Sequence, residues 1–113
     1  MSASSIRQVI LDLAVDDSFA LSEIVSRVRQ EQAELSASEA KQLARKNVEE
    51  MLELGLVEVT RLENPSDAEL PLDRDAAKIA LMDDLSWLPS THWRAHVRVV
   101  ATAAGREAYY GTR

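Results

Sequence analysis

The residue types that can do chemistry fall into four groups. Lys41, Gln42, Arg45 and Lys46 form a basic run, and Arg94, His96 and Arg98 form a second cationic set. Glu63, Asp67, Glu69, Asp73, Asp75, Asp83 and Asp84 are concentrated in one acidic stretch that also holds Trp87. For catalysis the inventory is thin. His92 and His96 sit four apart in a stretch patterned as a strand, which separates them by roughly 13 Å, too far for one zinc ion. Asp83 and Asp84 are adjacent in a helical pattern and do not converge on a point. The chain has no cysteine, so a thiolate nucleophile and a cysteine-based metal site are excluded. It also lacks a phosphate loop, a nucleophile elbow and a Gly-rich dinucleotide turn. The expectation is a protein that is not an enzyme and has neither cofactor nor metal.

What remains is charge and surface. The 113 residues carry a formal net charge of −6, which opposes generic binding to phosphate backbones. The charge is unevenly spread. Residues 63–84 hold seven acids and two bases, whereas residues 85–113 hold four bases and one acid. The acidic stretch reads either as a docking face for a basic protein or as a solvated loop. Its length and its own helix favour docking. Arg94, His96 and Arg98 make a stripe that can touch phosphate or pair across a sheet with Glu58. The basic run near Lys41 has a bland reading too, as a solvated helix face balanced by Glu49, Glu50 and Glu53. Trp87 and Trp93 are interface anchors or the seam between an inserted helix and the sheet. Tyr109 and Tyr110 can pack internally or join a dimer.

The elements that must position these groups follow from spacing. A first helix is expected over residues 4–15, with Ser5 and Gln8 as a capping box. Phe19 to Leu21 can make a very short strand, and Ser22 then caps a helix running to about Gln32, burying Ile24, Val25 and Val28. Ser36 and Glu39 form a second capping box. Ala40, Leu43, Ala44, Val48, Met51 and Leu52 recur at helical spacing behind it, and Gly55 closes that helix. Leu56 to Thr60 switches to strand formers. Residues 63–75 read as a surface loop. A fourth helix is expected from Ala76 to about Leu88, with Ala77, Leu81, Leu85 and Leu88 on one face and Asp73 or Asp75 as its cap. Residues 93–101 alternate, placing Trp93, Ala95, Val97, Val99 and Ala101 towards a core. Thr102 caps a last helix from Ala103 to Tyr110. One domain over residues 1–113 is the simplest organisation. No apolar run suits a bilayer span, the N-terminus lacks a basic signal-peptide region, and a cytoplasmic location is expected.

Three motifs carry a resemblance. QLARKNVEEMLELGLVEV looks like the third helix of winged-helix domains running through leucine and glycine into their second strand. HVRVVATAAGREAY is similar to the family's third strand, which ends in a threonine with a glycine three residues on. SEIVSRVRQEQ and SASEAKQLARK look like its helix-turn-helix. The resemblance implies an α+β, winged-helix-like fold with three N-terminal helices, a small antiparallel sheet and a short C-terminal helix. Residues 63–92, with a helix of their own, stand between the last two strands where the family has a brief hairpin. The family uses its third helix in the major groove, so the resemblance implies a DNA-binding regulator with Lys41, Gln42, Arg45, Lys46, Arg94 and Arg98 at the duplex. The acidic insertion supports a different expectation, preferred here: a non-enzymatic module that binds a basic protein. By analogy with small acidic immunity proteins, such a module blocks the basic surface of a toxin. Its docking residues would be Glu63, Asp67, Glu69, Asp73, Asp75, Asp83, Asp84 and Trp87, in a monomer or homodimer with no membrane partner.

Overall fold

The computed structural model describes residues 3–16, 18–62, 69–88 and 96–111. Among these, five α-helices accompany one four-stranded antiparallel sheet. The elements in order are α1 (Ala3–Ala14), β1 (Phe19–Ala20), α2 (Leu21–Glu31), α3 (Ala37–Glu53), β2 (Val57–Leu62), β3 (Leu70–Pro71), α4 (Arg74–Met82), β4 (His96–Ala101) and α5 (Ala103–Gly111). A single 3-10 turn, Asp84–Trp87, follows α4.

Local signals set most helix ends. Ser36 Oγ accepts the Glu39 N–H at 3.1 Å while Glu39 accepts the Ser36 N–H at 2.9 Å, closing the expected reciprocal box on α3. These bonds stabilise the carboxylate and hold Glu39 below its ordinary pKa. Gly55, at φ 74°, ends the same helix in the left-handed region and turns the chain into β2. Two expected caps differ. Ser5 lies inside α1, which already starts at Ala3. Ser22 lies inside α2, because the Glu23 carboxylate reaches back to the Ala20 N–H at 2.7 Å and starts the helix at Leu21.

The sheet runs β1-β4-β2-β3. Its centre is β4 against β2, with Val99 opposite Val59 and Ala101 opposite Val57. Val57, Val59, Val97, Val99 and Ala101 point into the core, as alternation requires. They meet Ile6 and Ile10 from α1, Ile24 and Val28 from α2, and Ala40, Ala44, Val48 and Met51 from α3. Val25 and Leu43, expected inside, are only partly buried. Asn47, absent from the apolar pattern, is buried on α3 and donates its amide to Leu43 O at 2.8 Å. Trp93, Arg94 and Ala95 lie outside the described residues, and β4 is described from His96 onward.

One joint locks α5 to the α3–β2 corner. Thr102 N–H donates to Leu56 O at 3.0 Å, and its hydroxyl donates to Gly55 O at 2.7 Å while accepting the Gly105 N–H at 3.0 Å. A Cβ on Gly105 would stand 2.0 Å from Leu56 O, so only glycine fits that approach. Beyond it, Tyr109 packs on the core, stacks edge-on to Tyr110 and donates its hydroxyl to Asp12 at 2.7 Å.

The segment after β2 is not a plain loop. Leu70–Pro71 adds an outer strand, pairing with Arg61 and Thr60 of β2. A proline is tolerated there because an edge strand needs no donor on its open side. The helix after it is interrupted. Asp73 accepts the Ala76 N–H at 2.8 Å and starts α4, but the chain becomes extended at Asp83, whose carboxylate accepts the Leu85 N–H at 3.0 Å. The expected single helix to Leu88 is therefore α4 plus the 3-10 turn, and the break shifts the phase of every later side chain. Ala77, Ala80, Leu81 and Trp87 are buried, whereas Leu85 and Leu88 are turned outward. Among the described residues no helix is long and apolar enough to cross a membrane.

Candidate functional site

The inserted segment lies along α3 and returns to its beginning. Glu53, at the end of α3, pairs with Lys78 and, at 3.6 Å, with Arg74 in the first turns of α4. The Lys78 ammonium donates to the Glu53 carboxylate and holds its pKa below the ordinary range. At the other end, Lys41 Nζ donates to Asp84 at 3.1 Å. These two ties run α4 antiparallel to α3. Trp87 is buried where the 3-10 turn packs on α2 and α4, and its indole N–H donates to Leu81 O at 2.8 Å.

The cationic sets have unequal fates. Arg98 is held inward, with its guanidinium donating to Ser18 Oγ at 3.0 Å and Ser18 O at 2.9 Å, and pairing with Glu69 at 3.2 Å. Glu69 also accepts from the Ser18 hydroxyl and, at 3.1 Å, from Thr60. The internal pairing expected of Arg98 is present, but its partner is Glu69 and not Glu58, which stands opposite Val100. The register explains this: Arg98 faces Thr60, and β3 brings Glu69 to the same spot. Both residues are thereby occupied in fixing β1 and β3 to β4, away from docking. On α3, Lys41 is engaged by Asp84, whereas Gln42, Arg45 and Lys46 make no hydrogen bond or ion pair among the described residues. Two of the three acids expected to balance them serve other helices: Glu50 pairs with Arg7 of α1 at 3.1 Å, and Glu53 serves α4.

The acidic set is also divided. Asp73, Asp75, Asp83 and Asp84 are exposed on one continuous segment. Asp73 and Asp83 each use one oxygen in capping and keep the other for solvent or a partner. Glu63 and Asp67 lie outside the described residues, as do His92 and Arg94. Among the described residues there is no group of three or more metal-ligating side chains.

Two features escaped the sequence patterns. The first is an apolar row on the outside of the insertion. Ile79 is 71% exposed, Met82 69%, Leu85 63% and Leu88 57%. The spacing of Ile79 and Met82 opposite Ala77 and Leu81 was a signal for a helix with apolar residues on two sides. The positions of Leu85 and Leu88 depend on the break at Asp83. The second is a groove of about 790 Å³ between α2, the first turn of α3 and the 3-10 turn. One wall is the α2 face bearing Ser22, Val25, Ser26 and Arg29, and the opposite wall bears Asp84, Trp87 and Leu88. Lys41 and Ser38 close one side. No family model, curated protein or solved structure matches this chain.

Proposed function

We propose that the protein is a non-enzymatic binding module whose inserted segment docks a basic, amphipathic partner protein. The observation that carries this reading is the row Ile79, Met82, Leu85 and Leu88, four large apolar side chains left in water on one short segment. Exposed apolar side chains clustered with a polar rim mark interaction surfaces. Here the rim is acidic, with Asp75, Asp83 and Asp84 on the same segment. Apolar contact supplies the affinity, and the acids favour encounter with a cationic surface while disfavouring acidic partners. Bound there, the module covers the partner's basic surface, in the manner of an immunity-type inhibitor. The strand order β1-β4-β2 with α2 and α3 before it supports a winged-helix-like reading of the scaffold, with the insertion in place of the wing.

The test is a titration with an amphipathic Leu/Lys helical peptide beside its Leu/Glu counterpart. The Leu/Lys peptide binds and the Leu/Glu peptide does not. Ile79→Ser with Met82→Ser removes binding while shifting stability by less than about 0.5 kcal/mol per site, since neither side chain is buried. Equal binding of both peptides, or unchanged binding by the double variant, defeats the reading.

A second reading, a duplex DNA reader, is favoured by one observation: the side chains of Gln42, Arg45 and Lys46 have no partner on α3 among the described residues. It requires duplex binding at about 50 mM salt that weakens steeply as salt rises. An absence of binding at that salt removes it.

A further inference from the structure

We infer that the groove between α2, α3 and the 3-10 turn binds a small amphipathic anion, an apolar chain or ring ending in a carboxylate. The inference does not rest on the outer apolar row; only Leu88 belongs to both. The volume of about 790 Å³ lies within the roughly 300–1,000 Å³ of small-molecule sites. Its shape is elongated, because the α2 wall extends from Ser22 to Gln30, about 12 Å at 1.5 Å per residue. Val25, Ala33, Trp87 and Leu88 give this trough apolar surface, which suits a hydrocarbon body.

The charge in the groove runs against the charge of the molecule. In a chain of net charge −6, the groove is lined by two cations, Arg29 and Lys41, and by one acid, Asp84. Arg29 makes no hydrogen bond or ion pair among the described residues, so all five of its N–H donors are available. Lys41 gives one donor to Asp84 and keeps two. Planar, forked donation matches a carboxylate, and Arg29 can take it bidentately. Ser26 and Ser38 add hydroxyl donors beside the cations. An uncharged apolar ligand would leave these donors unused, and a bare inorganic anion would leave the trough unfilled.

The experiment uses the Trp93→Phe chain, in which Trp87 is the one remaining tryptophan. Its fluorescence is followed during titration with decanoate, decanol and inorganic phosphate, each kept below aggregation, with calorimetry for stoichiometry. Decanoate should bind saturably at one site, decanol at least about tenfold more weakly, and phosphate should neither bind nor compete. Arg29→Gln should weaken decanoate by about tenfold or more, the scale of a charge-assisted hydrogen bond. Leu88→Glu, at an exposed position, should abolish binding without unfolding the chain, as circular dichroism checks. Equal affinity for decanol, wild-type affinity in Arg29→Gln, competition by phosphate, or no saturable signal at millimolar decanoate each overturns the assignment.

Discussion

The corner where α3 enters β2 and the segment that crosses back over α3 are built by different physics. At the corner, backbone meets backbone: Leu56 O accepts from Thr102, Gly55 O accepts the Thr102 hydroxyl, and Gly105 approaches too closely to carry a side chain. In the crossing segment, Ala77, Ala80, Leu81 and Trp87 are buried, surface ion pairs tie both ends, and four large apolar groups, Ile79, Met82, Leu85 and Leu88, face water. Exposed ion pairs contribute little to stability. The corner therefore spends its residues on holding the fold, while the crossing segment keeps apolar surface uncommitted. That division is what makes the insertion, rather than α3, the better candidate for a docking surface.

The contrast can be broken most strongly at Gly105. Gly105→Ala places a methyl against the Leu56 carbonyl, and the joint must open to admit it. The expected loss is about 3 kcal/mol or more, at the upper end of overpacking, read as a lower urea midpoint. A loss under about 1 kcal/mol would show that α5 yields easily and that the corner is not the rigid partner in the comparison.

A smaller effect is expected at Trp87. Trp87→Phe removes the indole donor and leaves Leu81 O without its partner, costing about 1–2 kcal/mol. Hydrogen exchange sharpens the point. Protection should fall in α4 and the 3-10 turn while β2 and β4 keep theirs, because the segment opens as its own unit. Uniform loss across the sheet would instead make insertion and corner one cooperative body.

The smallest effect lies at Glu53. Its carboxyl is held below the ordinary range first by the hydrogen bond from Lys78, so its contribution is present above the unfolded-state pKa. That contribution is lost as pH falls through the lowered folded-state value. Glu53→Gln should abolish the part of the acid-side stability slope that wild type shows in that window, with a small loss of stability at neutral pH and none below the lowered folded-state value. Identical slopes would mean the Glu53 tie does not help hold α4.

Signals confined to a few residues were legible. The Ser36–Glu39 box, Gly55 at positive φ, Asp73 as a cap, Thr102 before α5 and the alternation of Val97, Val99 and Ala101 all have partners within the same element or turn. The acidic candidates were legible only as a composition, since which acids stay outward depends on distant partners. Glu69, expected on the docking face, is turned in towards Arg98, Ser18 and Thr60.

By itself, then, the sequence determined an α+β chain with a capped third helix, a glycine exit into a strand and an acidic insertion bearing a helix. The tertiary structure decided where that insertion's side chains went. Periodicity assumes an unbroken helix, and the extended residue Asp83 breaks it, so Leu85 and Leu88 join Ile79 and Met82 in solvent while Trp87 turns inward. The groove, too, needs the 3-10 turn set against α2 and the start of α3, where Asp84 meets Lys41 from 43 residues away. A contact at that range leaves no periodic trace, because neither residue's neighbours in the chain are needed to make it.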